Sequence, residues 1–167
     1  MLDRFQAAAE AVGTTIKRFS SLEGTGEYLR ELAGDGIICR SHLSPEIRTA
    51  CSGLTFAPPD RASEARLCVS AARAAIADTG SLLLEVTDPA DRGATALPLV
   101  HAVYLFASAI VPTLADLTEL LEQALAAPGH AYLSITTGPS RTADIERVLT
   151  IGVHGPKELH VLLIEGV

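Results

Sequence analysis

Apolar residues recur along this chain with two different periods, and the alternation between them outlines its elements. Leu2, Phe5, Ala9 and Val12 fall on one side of a helix predicted from Leu2 to Val12. Thr14 to Phe19 alternates and predicts a strand. A second helix is predicted from Leu22 to Ala33, weakened early by Gly24 and Gly26 and stopped by Gly34-Asp35-Gly36. Gly36 to Cys39 predicts a short buried strand, and Pro45 to Cys51 a short helix with Pro in its first turn. Residues 53–62, with Pro58-Pro59, read as a loop, and Leu67 to Ser70 as a strand. The Ala-rich run from Ala71 to Ala77 has helical propensity. A turn at Asp78-Thr79-Gly80 leads into a strong strand from Ser81 to Val86, and Asp88 to Ala96 reads as a polar loop. Leu99 to Ala107 predicts a strand that extends to Ile110-Val111. Leu114, Leu117, Leu121 and Leu125 make the clearest helical stripe, from Thr113 to Ala126, ended by Pro128-Gly129. His130 to Thr137 predicts a strand, Thr142 to Leu149 a helix of about two turns, and Leu159 to Ile164 the last strand.

Strands and helices that alternate in this way predict an α/β layered fold with a mostly parallel sheet. The strands are continuous apolar runs, as expected where helices cover both faces. Residues 1–167 read as one domain, without an evident linker, repeat or low-complexity tract.

Composition narrows the chemistry. A net charge of −7, with the 13 basic residues scattered, disfavours nucleic acid. No apolar run approaches the roughly 20 residues needed to span a bilayer, and no signal peptide is visible, so the expected setting is the cytoplasm, away from membranes. Cys39, Cys51 and Cys68 are too few and too widely spaced for a metal or iron–sulfur cluster or a disulfide framework. The five His lack metal-ligand spacing, so no metal is expected.

The densest polar signal runs from Ile135 to Leu163. Gly138 permits an unusual turn, Ser140 or Thr142 can cap the expected helix, and Arg141 adds a planar partner for a carboxylate or phosphate. A helix start suits an anion, so this turn is a candidate pocket for a small organic acid. Asp144 and Glu146 can instead pair with Arg141 and leave a capped helix with an internal salt bridge. His154, in Gly-Val-His-Gly-Pro, is a candidate proton carrier or an ordinary turn residue. His101, behind Pro98 in a strand, reads as a satisfied interior His.

Asp78-Thr79-Gly80-Ser81 resembles the aspartic protease signature. That chemistry needs two facing carboxylates, the tetrapeptide occurs once, and the chain is rich in helical segments. A turn between elements is the better account, with Thr79 and Ser81 facing a pocket.

GPSRTADIE followed by GVHGP-x-x-LHV resembles the LUD-domain family, the lactate-utilisation protein C group. Ala77 to Leu82 is similar to that family's A-E-T-G-T-L segment, and Pro98 to His101 and Ile110-Val111-Pro112 also fall in place. Asp78 for Glu, Ser81 for Thr and Lys157 for Arg depart from it, and the N-terminal part is short relative to typical members. The resemblance implies a three-layer α/β/α open sheet similar to the sugar-phosphate isomerase, CoA-transferase and formyltetrahydrofolate cyclo-ligase superfold. It implies a part in oxidising L-lactate to pyruvate with iron–sulfur oxidoreductase subunits, the clusters lying in those partners and no cofactor in this chain. A lactate-like anion would rest on Gly138, Ser140, Arg141 and Thr142, with Thr79, Gly80 and Ser81 as the opposite wall and His154 and Asp144 as proton carriers. The alternatives are a non-catalytic assembly or regulatory module, which could pair with a second copy of itself, or an isomerase or CoA-linked enzyme of the same superfold. The latter needs a carboxylate at a strand end, such as Glu85 or Glu165.

Overall fold

Five parallel strands form the centre of the molecule, in the order β1 (Thr15–Phe19), β11 (Glu158–Ile164), β6 (Val100–Phe106), β3 (Leu67–Ala71) and β2 (Ile38–Arg40). The computed structural model describes residues 1–126, 128–129, 131–143, 149–151 and 155–166. The three inner strands are buried almost throughout, since layers cover both faces. Edge strand β1 is largely exposed and carries Lys17 and Arg18, charges that discourage edge-to-edge pairing.

One face is covered by α2 (Thr25–Ala33) and α3 (Pro45–Ala50). Leu29, Ala33 and Ile47 pack there on Leu67, Val69, Ala102, Tyr104, Leu162 and Ile164. Leu29 and Ala33 lie four apart, so both face the sheet. Below them Tyr104 donates its hydroxyl to Thr25 Oγ1 at 2.9 Å, which satisfies a fully buried phenol.

The opposite face is covered by α1 (Leu2–Ala11) and by a second sheet, ordered β7 (Ile110–Val111), β4 (Ala74–Ile76), β5 (Ser81–Glu85) and β8 (Leu133–Thr136). Phe5 and Ala9 of α1 join Leu82 and Leu84 of β5 against Val103, Leu105, Val161 and Leu163. The far side of this second sheet packs on Leu117 and on α5 (Thr118–Ala126). The fold is a three-layer α/β arrangement with a mostly parallel central sheet, and the smaller, mainly antiparallel sheet is an addition to the expected pattern.

Four local expectations are corrected. Ala74–Ile76 is a strand, not a helix: it pairs with Leu83, Leu82 and Ser81, and its side chains are buried between layers. Burial between layers overrides the intrinsic preference of Ala for helix. Residues 89–96 form a helix, α4 (Pro89–Ala96), rather than a loop, because Asp88 Oδ1 accepts from Ala90 N at 2.8 Å and Pro89 takes the first turn. Ile110–Val111 leaves the central sheet and pairs with β4 of the second. The helix expected from Thr142 to Leu149 gives way at both ends to an antiparallel pair, β9 (Arg141–Ala143) on β10 (Leu149–Ile151); 144–148 lie outside the described residues.

Candidate functional site

Three separated stretches of the sequence motif meet in one cavity of about 370 Å³. It lies between the two sheets, at the amino ends of β6 and β11. His101 and Leu159 come from the central sheet, and Leu84, Ser134 and Thr136 from the second. Ser134 and Thr136 share a face of β8 because side chains alternate along a strand. Thr95 and Ala96 at the end of α4, together with the turns 138–141 and 155–156, complete the wall.

Both turns are held in place by backbone constraints. Gly138 has φ +76°, and a Cβ there would stand 2.6 Å from the Val12 carbonyl oxygen, so only glycine fits against the end of α1. Ser140 N–H donates to the Pro156 carbonyl at 2.8 Å, tying one turn to the other. That amide is therefore committed, and residues 141–143 are a strand rather than a helix start. The anion-binding contribution expected from helix N-terminal amides has no counterpart among the described residues. What the cavity offers instead is side-chain chemistry: the Ser134 and Thr136 hydroxyls, the His101 imidazole, and an exposed Arg141 guanidinium at the mouth. Nη2 of Arg141 donates to Val12 O at 2.8 Å, and no ion pair reaches this guanidinium among the described residues.

The remaining predicted residues separate into two groups. Thr79, Gly80 and Ser81 do not line this cavity. Ser81 Oγ lies 2.7 Å from both Thr79 Oγ1 and Thr137 Oγ1, a hydroxyl chain that links the Asp78 turn to the strand end before Gly138. Gly80, at φ +65°, lets the turn approach α1 so closely that a Cβ would overlap the backbone of Ala8 and Ala9. Asp78 pairs with Arg4 of α1, and with this single carboxylate engaged no protease dyad forms within the described chain. Thr142 lies in β9, opposite Thr150. Asp144 and His154 lie outside the described residues.

His101 is the satisfied interior His that the sequence led us to expect, and it also borders the cavity. It is 2% exposed, and its Nε2 lies 2.7 Å from the buried Ser70 Oγ. Burial pushes its pKa down to about 4, so the ring is neutral near pH 7. The sequence signal was present: a lone imidazole in an otherwise apolar strand, close behind Pro98.

A second cleft, of about 590 Å³, lies at the carboxyl ends of β2 and β3, lined in part by His42, Arg73, Glu85, Asp88 and Asp91. Its charges are largely matched internally: Arg73 pairs with Glu85, and Asp88 caps α4. Burial, with Asp88 nearby, raises the Asp91 pKa. Glu165, the other strand-end carboxylate, is held by Arg18 at 2.6 and 3.0 Å, which keeps its pKa below the usual range. Neither carboxylate borders the cavity at Arg141. Among the described residues no cluster of His, Cys, Asp and Glu could hold a metal ion, and no helix is long and apolar enough to cross a membrane.

Comparison with known proteins places this geometry in a context. The family profile described as LUD domain matches residues 59–164. The chain is 29% identical over 148 residues to the Escherichia coli (strain K12) protein named "Uncharacterized protein YkgG", covering 84% of this chain and 64% of that one. It is 27% identical over 106 residues to "Lactate utilization protein C" of Bacillus subtilis (62% of this chain, 44% of that one). It is 33% identical over 94 residues to the protein of the same name in Bacillus pumilus (54% and 38%). The chain thus spans less than two thirds of the length of these relatives. A crystal structure of a DUF162 family protein from Deinococcus radiodurans shares the fold, with TM-score 0.67 and 18% identity over 98% of this chain and 95% of that one.

Proposed function

The chain belongs to the LUD domain family, and on that premise we propose that it binds a small organic acid of the lactate type in the cavity beside Arg141, in support of lactate oxidation by iron–sulfur partner subunits. The carrying observation is the convergence of residues 95–101, 134–141 and 155–159 on one polar-lined cavity with a guanidinium at its mouth. A guanidinium recognises a carboxylate through parallel N–H donors, and hydroxyl rotors can serve oxygen atoms further in. Relatives named for lactate utilisation support the choice of acid. The chain's own contribution is binding. A neutral imidazole with a pKa near 4 is a weak base, and any electron acceptor would reside in the partners.

Calorimetry and thermal denaturation with L-lactate, pyruvate and acetate test the reading. A ligand that binds only the native state raises the melting temperature with concentration. Saturable stabilisation by lactate or pyruvate that is abolished in Arg141→Ala supports it. Stabilisation by none of the acids overturns it.

A second reading is favoured by the commitment of Thr79, Gly80 and Ser81 to one another and to α1, which makes part of the motif a structural clamp. In that reading the chain is an assembly module. It would co-purify with a cluster-bearing subunit while showing no affinity for acids alone.

A further inference from the structure

His101 is placed to do more than line the cavity. Its Nε2 faces Ser70 Oγ at 2.7 Å, and Ser70 is 1% exposed. Ser70 O–H makes no other hydrogen bond among the described residues. A buried hydroxyl that fails to donate loses the solvation of its proton with nothing in return, so the satisfied arrangement has Ser70 donating to Nε2. Nε2 is then the acceptor, and the single proton of the neutral ring sits on Nδ1. Nδ1 has no partner among the described residues, yet the one buried, unpartnered side-chain nitrogen or oxygen among them is Thr14 Oγ1. Nδ1 is therefore not sealed, and the space that His101 borders is the cavity.

We propose that His101 is a specificity-determining residue: Ser70 fixes it as the Nδ1–H tautomer, and that N–H donates to an oxygen on the carbon next to the carboxylate of the bound acid. The inference rests on the acid-binding reading of the cavity and sharpens it to a substrate class. Arg141 at the mouth takes the carboxylate, and the inner donor selects short acids that carry a hydroxyl or oxo oxygen at the 2-position over acids that lack one. Both lactate and pyruvate satisfy this, because a hydroxyl oxygen and a carbonyl oxygen each accept. Propionate has the same chain without that oxygen and leaves the N–H unpaired. A site built around a polar group rejects the analogue lacking it more strongly than an apolar pocket distinguishes sizes.

Two measurements test the two halves separately. Nitrogen NMR of the ligand-free, full-length protein labelled at histidine reads the tautomer directly. The pyrrole-like nitrogen of His101 is expected to be Nδ1, with mixing of tautomers in Ser70→Ala. A proton on Nε2 in the wild type overturns the assignment whatever the ligand proves to be. Calorimetry then compares pyruvate, lactate and propionate on the wild type, His101→Asn and His101→Phe. The wild type is expected to bind both 2-oxygenated acids about tenfold tighter than propionate, the equivalent of one hydrogen bond. His101→Asn, which keeps an amide donor near the Nδ1 position, retains part of that ratio. His101→Phe brings that ratio to about one. Equal binding of propionate by the wild type overturns the selection. Binding of no acid at all overturns the acid site itself, and the tautomer result still stands or falls alone.

Discussion

The guanidinium of Arg141 donates from Nη2 to the carbonyl oxygen of Val12 at 2.8 Å, joining positions 129 residues apart in sequence. Val12 closes α1, where free carbonyls carry partial negative charge, so a cation is well placed there. The same side chain stands at the mouth of the cavity, and one residue thus couples the N-terminal helix to the candidate site.

Arg141→Ala is expected to remove both functions. Loss of a charge-assisted bond at an exposed position destabilises the fold by about 1 kcal/mol, a drop of roughly 3 °C in melting temperature for a chain of this size. Arg141→Lys keeps the charge and loses the fork geometry. Its stability should stay near that of the wild type while acid binding weakens. Denaturation curves with and without lactate separate the two effects.

Gly80→Ala should be among the most damaging single substitutions. The residue sits at φ +65°, and its new Cβ would fall 2.6 Å from the Ala8 carbonyl carbon. Because helix backbone cannot yield like a flexible side chain, α1 must shift, at a penalty above about 3 kcal/mol. Gly24→Ala is the control: φ is +78° but nothing lies within 4 Å, so only backbone strain of about 1 kcal/mol applies. Urea unfolding of the two variants should differ by that margin; equal midpoints would show that α1 is not clamped by the turn.

Ser81→Ala breaks the hydroxyl chain in the middle and deprives Thr79 and Thr137 of their shared partner. With Ser81 2% exposed, the expected loss is about 1–2 kcal/mol. Since Ser81 does not border the cavity, acid affinity measured well below the melting temperature should change little.

Acid sensitivity follows from His101. The unfolded chain takes up this proton near pH 6.5 and the folded protein only near 4. The unfolded state therefore binds more protons within that window, and stability falls as pH drops through it, by on the order of 3 kcal/mol in full. Above about pH 6.5 the contribution is complete. Asp91 acts in the opposite sense, because its raised pKa lets the folded state take up a proton first and returns some stability at the acid end. His101→Gln should flatten the decline between pH 6.5 and 4 in chemical denaturation series; an unchanged slope would show that the imidazole is not buried in solution.

Helix α1, the Thr113 start and the inner strands β3, β6 and β11 were legible from the chain alone. Their signals are local: an i, i+4 pair such as Phe5 and Ala9, a Thr just ahead of an apolar helical stripe, and unbroken apolar runs. Each reports hydrogen bonds and burial within a few residues, and neighbouring chemistry suffices to read them. The family motif likewise marked Gly138, Ser140 and Arg141, which do border the cavity. Ala74–Ile76, 141–143 and 149–151 misled, because strand pairing there depends on partners and layers that no local preference encodes. The role of Gly80, and the cavity that His101 borders, were hidden for a related reason. A glycine is required at 80 because α1 passes over it, and an imidazole acquires meaning at 101 because Ser70 stands behind it and a cavity in front. Those relationships exist once distant segments pack, so folding in three dimensions, and not order along the chain, assigned them.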